Sequence, residues 1–195
     1  MATQSISRPS RVGNPIPNAQ LGMLLFVATE VMFFVALISA YLVIKASSGI
    51  RWVPPGDVTL PVAITAVNTA ILLASGVFMV LATRAFEGAG SDRDRSLKLF
   101  TASLVLGVAF VGIQGMEWVE LLSHGLTMRS GVFGACFFLL IGSHGLHAFA
   151  AVIALLFTLR SFKRGTLTVD HFKAMQIFWL FIVGVWPFLY VLVYL

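Results

Sequence analysis

The stretch Gly142-Ser143-His144-Gly145-Leu146-His147 sets two imidazoles in the middle of a run, Gly131 to Arg160, that is otherwise almost entirely apolar or small. At about 30 residues the run is long enough to cross a bilayer as a helix. Ionisable groups at such depth cost a few kcal/mol even on lenient insertion scales, so they face protein and mark either a polar lock or a site. Residues three apart share one face of a helix, so His144 and His147 point the same way. Gly145 lets a neighbouring backbone approach beside them.

Working outward, the rest of the chain reads in the same way. Hydrophobic residues make up 58% of the 195 and charged residues only 11%. With a mean hydropathy of +0.95, so much apolar surface does not fit inside one soluble core. The class is therefore all-α, a polytopic membrane protein. Five spans are predicted: Gln20 to Ile44, Leu60 to Thr83, Leu97 to Leu122, the central run, and Phe172 to the C-terminus. The runs are too long and too continuous for the short alternating segments of a β-barrel. Short connections favour an up-and-down bundle over residues 20–195, preceded by a polar tail over 1–19. That tail carries Pro9, Pro15 and Pro17 and no apolar core, so no cleavable leader is expected.

Charge sets the expected orientation. Of the 13 Lys and Arg, all but Lys45, Arg51 and Arg129 fall in the tail, the second loop and the fourth loop. The positive-inside rule then puts the N-terminus in the cytoplasm and the C-terminus outside. The net charge of +5 is explained by this asymmetry. Interleaved Asp92, Asp94 and Asp170, and the lack of any nucleic-acid module, argue against a nucleic-acid partner. Cys136 is a single cysteine within the central span, so neither a disulfide framework nor a cysteine metal cluster is expected.

Two further polar features lie in the spans. Gln114, Glu117 and Glu120 recur every three residues near the outer end of span three, with His124 just beyond, and give that helix one acidic face. Glu30 sits about ten residues into span one, roughly 15 Å along a helix rising 1.5 Å per residue. Among Val27, Val31, Phe33 and Phe34, its carboxyl needs a hydrogen-bonding partner, and a proton-handling or subunit-contact role stands beside a plain interhelical bond.

The predicted polar lock comprises Gln114, Glu117, Glu120, His144 and His147. In it the two histidines tie span four to span three or span five. Depth complicates direct contact, because His144 lies about 20 Å from the outer end of its span and Glu117 only about 8 Å. Offset helices, carbonyls near Trp179, or buried water are the alternatives. Glu117-x-x-Glu120 and His144-x-x-His147 also contain the donor types of a two-helix metal site, which leaves a membrane metal enzyme or transporter as a competing class. Known bundle sites of that kind mix Glu and His on each helix, and here each pair is of one type. Phe133, Phe137, Phe138 and Trp179 read as packing.

Taken together, Leu21-Gly22-Met23, Glu30-Val31-Met32-Phe33-Phe34, Asn68-Thr69, Leu72-Leu73-Ala74-Ser75-Gly76, Gln114 with Glu117 and Glu120, Ser143-His144-Gly145-Leu146-His147, and Trp186 with Phe188-Leu189-Tyr190 resemble subunit III of the haem–copper oxidases. The motifs follow the family's order from Gln20 to Leu195, in a form similar to the five-helix bacterial one.

The resemblance implies a non-catalytic subunit of a respiratory terminal oxidase in the bacterial cytoplasmic membrane. Such a subunit has no cofactor of its own, with haem and copper held by partner subunits. It packs against subunit I and subunit II, binds structural phospholipid, and supports proton uptake. By the same resemblance Glu30 is the family's intramembrane glutamate, and Arg160, Lys163 and His171 match residues at the lipid headgroups. The last span departs from the family, because Trp179-Leu180-Phe181-Ile182-Val183 keeps the aromatics of the usual Trp-His-Phe-x-x-Asp and loses its His and Asp. Pro187 also stands where an apolar residue is usual. Cytochrome c oxidase, quinol oxidase and an accessory protein of nitric oxide reductase all remain compatible with that pattern.

Overall fold

The structure is a computed structural model, described over residues 17–49, 52, 61–87 and 92–195. Most of the expected polar tail, with Arg8 and Arg11, lies outside those residues, as do Arg51, Pro54, Pro55 and Leu60.

Five helices follow one another: α1 (Asn18–Ser48), α2 (Val62–Glu87), α3 (Arg93–Ser123), α4 (Val132–Arg164) and α5 (Val169–Tyr194). Each is long and apolar enough to cross a membrane. Helices α1 and α3 contain their predicted spans, whereas α2 begins at Val62 rather than Leu60, α4 at Val132 rather than Gly131, and α5 ends at Tyr194, one residue before the C-terminus. Elsewhere the helices overrun the spans, by a full turn at Lys45–Ser48 and again at Ser161–Arg164. The apolar run marks what lies in hydrocarbon, whereas the helix continues as long as its backbone bonds are made.

The ends are set by local chemistry. Asp92 caps α3 by accepting from the Arg95 amide at 2.9 Å, and Thr168 caps α5 by accepting from the His171 amide. At the end of α4, Gly165 adopts φ +76° and its amide donates to the Phe162 carbonyl, while Thr166 N donates to Ser161 O. Arg93 Nη2 adds a second donor to that Phe162 carbonyl at 2.7 Å.

Contacts between helices fix an alternating up-and-down arrangement. Gln20 donates to Asp170, Lys173 pairs with Glu87 at 3.2 Å, and Arg93 reaches Phe162, so these groups share one end of the bundle. This is the end carrying most of the described basic residues. At the other end Tyr41 donates to the Leu192 carbonyl and Tyr190 to the Val62 carbonyl.

The central span of the sequence is not the hub of the bundle. That place belongs to α5, which packs on α1, α2 and α4, and its Trp179 and Trp186 are fully buried. The most extensive helix pair is α2 with α3, whose contact includes small and hydroxyl residues. Ser103 donates to the Ser75 carbonyl and Ser96 to the Ala82 carbonyl, both at 2.8 Å. Pro187 inside α5 has no amide hydrogen to give the Val183 carbonyl, yet the helix continues through it to Tyr194. By contrast α1 is the outlying helix, with only Phe34 and Tyr41 buried.

Candidate functional site

Two hydrogen-bonded polar clusters lie within the helices, and they use the sequence's polar residues in a different combination from the predicted lock. In the first, His147 reaches α1: its Nε2 stands 2.9 Å from Oε2 of Glu30. The other ring nitrogen, Nδ1, lies 2.7 Å from the Ser143 carbonyl one turn back on α4. A carbonyl only accepts, so Nδ1 carries a hydrogen and the tautomer is assigned by this contact.

The contact between His147 Nε2 and Glu30 therefore holds a single proton. Whether it sits on nitrogen or oxygen, the pair is neutral overall. The rings of Phe33 and Phe34 stand 6.0 and 5.4 Å from that of His147. The pair is only partly covered, at 18% exposure for Glu30 and 20% for His147. It is thus a one-proton group at the edge of the bundle, open on one side.

The second cluster joins α2, α3 and α5. Gln114 Nε2 donates to Glu117 Oε2 at 2.8 Å and to the Tyr194 hydroxyl at 3.3 Å. Thr65 lies 3.1 Å from the same carboxylate oxygen and 2.8 Å from the Pro61 carbonyl, so one hydroxyl proton serves two acceptors. Asn68 donates to the Phe110 carbonyl at 3.2 Å and to Gln114 Oε1 at 3.4 Å. Glu117 is 4% exposed and Gln114 6%. Glu120, expected in the lock, is exposed on the outside of α3, where its carbonyl accepts from His124.

His144 belongs to neither cluster. It is 1% exposed among the rings of Phe34, Phe110 and Trp186, and neither of its nitrogens has a hydrogen-bond partner among the described residues. Neither histidine hydrogen-bonds Gln114 or Glu117, although His144 and Gln114 line one pocket between α3 and α4. The four residues of the metal alternative do not converge: Glu117 serves α2, His147 serves α1, and Glu120 points outward. Among the described residues no group of three or more His, Cys, Asp or Glu is placed to share an ion.

At the basic end, Arg160 lies over the ring of Phe157 at 5.7 Å, and His171 Nδ1 is 2.6 Å from Thr168 Oγ1. Met23, Phe157, Ser161, Thr168 and His171 line a pocket of about 470 Å³ there, between α1, α4 and α5. Arg160, Lys163 and His171 are all exposed.

Sequence reasoning missed Thr65 and Tyr194 as network members, and the role of the Ser143 carbonyl. A signal existed for the first: Thr65, Asn68, Thr69 and Ser75 recur on one side of span two, a polar stripe that calls for protein neighbours. Thr69 accepts from Trp186 Nε1 at 2.9 Å and Ser75 from Trp179 Nε1 at 3.2 Å.

The fold defines a multi-pass helical membrane protein in which two polar clusters join the helices. The chain belongs to the cytochrome c oxidase subunit III family, whose sequence pattern matches residues 16–195. It is 36% identical over 182 residues to cytochrome c oxidase subunit 3 of Salmo salar, a match that covers 89% of this chain and 67% of that protein. Cytochrome c oxidase subunit 3 of Ornithorhynchus anatinus is 36% identical over 185 residues, with 89% and 67% covered. For the protein of that name from Pyricularia grisea the identity is 34% over 182 residues, with 89% and 66% covered. The chain thus spans about two thirds of the length of these relatives.

Proposed function

We propose that the chain is a non-catalytic subunit of a respiratory haem–copper oxidase in a bacterial cytoplasmic membrane, where it packs against subunit I beside subunit II and supports proton uptake by the complex. The observation that carries this reading is the Glu30–His147 pair. A carboxyl and an imidazole joined at 2.9 Å within an apolar span, and open on one side, form a group able to relay a proton, one leaving as another arrives, so that no net charge stays in the membrane. The family membership supplies the setting, and haem and copper belong to partner subunits.

Lipid binding is the second part of the proposal. His171 lines the pocket between α1, α4 and α5 at the basic end, taken as the cytoplasmic side on charge, and the exposed Arg160 and Lys163 stand on the same end of α4. An anionic headgroup there meets cationic side chains, and Phe157 and Met23 offer an apolar floor to its acyl chains.

Purification in mild detergent tests the assignment. Haem-bearing polypeptides are expected to accompany the chain through a native gel, with oxygen consumption lost when it is removed and restored when it is returned. A chain that runs free of any haem protein would sink the assignment.

A further inference from the structure

His144 presents a chemical demand that the protein around it leaves unmet. A neutral imidazole has one N–H donor and one acceptor nitrogen. Both nitrogens are buried, and neither has a partner among the described residues. Three aromatic rings hold the imidazole: Trp186 at 5.1 Å, Phe34 at 6.2 Å and Phe110 at 6.4 Å. None of them offers it a polar atom, because the indole N–H of Trp186 is already given to Thr69.

A second buried donor lies close by on α3. Trp118 Nε1 is likewise buried without a partner among the described residues. His144 and Trp118 line one pocket of about 110 Å³ between α3 and α4, open on its outer side and mostly apolar, together with Gln114, Gly115 and Gly145. Gly145 lets the Trp118 ring pack directly on α4. A Cβ at Gly145 would stand 3.2 Å from the Trp118 ring, so any larger residue there would press the indole aside.

The inventory of groups selects the ligand. The cavity needs an acceptor for the Trp118 N–H, an acceptor for the His144 N–H and a donor for the other His144 nitrogen. An acyl chain supplies none of these. A metal cation would be held by a single imidazole nitrogen and would confront two N–H groups. Water both donates and accepts, and the volume accommodates about three molecules at roughly 30 Å³ each.

We infer that the pocket between α3 and α4 is a hydration site, in which water bridges His144 to Trp118 and to Gln114. The bridge joins α4 to the Gln114–Glu117 network of α3 across a pocket that His144 and Gln114 both line. It thereby makes His144 part of the interhelical lock through water.

The wild-type chain in its purified complex provides the test, in a density map fine enough to resolve ordered water. Two or more water peaks within hydrogen-bond distance of the His144 nitrogens and Trp118 Nε1 are expected. Acyl-chain density in the cavity, no density at all, or a His144 ring turned onto a protein partner would overturn the inference. Solid-state NMR on ¹⁵N-histidine protein in bilayers gives an independent reading. Magnetisation from water is expected to reach the ring nitrogens of His144, identified by the resonances lost in His144→Phe. Transfer no stronger than to lipid-facing methyl groups would exclude the site.

Discussion

Glu30 on α1 and His147 on α4 stand 2.9 Å apart, and the Ser143 carbonyl, by taking the other ring nitrogen of His147, limits that contact to one proton. The pair is the polar tie of the outlying helix to α4, beside its bonds to α5 through Gln20 and Tyr41. Glu30→Gln leaves an amide that still donates to Nε2, so assembly is expected to be normal while proton exchange at the site is lost. Glu30→Leu instead leaves His147 Nε2 without a partner and is expected to cost about 1–3 kcal/mol. Thermal stability of the purified complex separates the two variants, and equal losses in both would argue against the pairing.

Trp179 occupies the space a side chain at residue 107 would need. A Cβ built on Gly107 would lie 2.7 Å from two atoms of the indole ring. Gly107→Val is therefore expected to destabilise the bundle by about 1–3 kcal/mol through overpacking. Gly112→Ala on the same helix meets nothing within 4 Å and serves as the control. A melting temperature unchanged in Gly107→Val would contradict the packing described.

Trp186 combines burial with a hydrogen bond, giving its N–H to Thr69 at 2.9 Å. Trp186→Phe keeps most of the ring and removes the donor, so a loss of about 0.6–1.7 kcal/mol is expected from interhelical bonds in membranes. Thr69→Val removes the acceptor. In a double-mutant cycle the two losses should fail to add, and strict additivity would show that the bond contributes nothing.

Arg160 and Lys163 lie three residues apart at the basic end of α4. Each basic group near anionic lipid contributes about 1 kcal/mol. Changing both to Gln is then expected to weaken retention of anionic phospholipid by roughly thirtyfold, at about 1.4 kcal/mol per factor of ten. Mass spectrometry of co-purifying lipid reads this directly, and unchanged content would remove the headgroup site from the proposed function.

Length, hydropathy and charge were enough to determine the class, the five helices and their alternation, because a bilayer admits few solutions for continuous apolar runs. The motifs from Leu21 to Tyr190 likewise carried the family. They could also say that Glu30, Glu117, His144 and His147 must face protein, since lipid offers a polar group no partner. Which partner each one takes was decided only by the tertiary structure. Helical periodicity gives a residue's direction around its own axis, while tilt and offset between helices come from packing contacts such as Trp179 on Gly107 and Ser103 on Ser75. Those contacts gather α2 and α3 around α5, give Glu117 to Thr65, and bring α1 to α4 at the depth where Glu30 meets His147. The same packing leaves His144, on the same face one turn earlier, among three aromatic rings and beside a cavity rather than against a carboxylate.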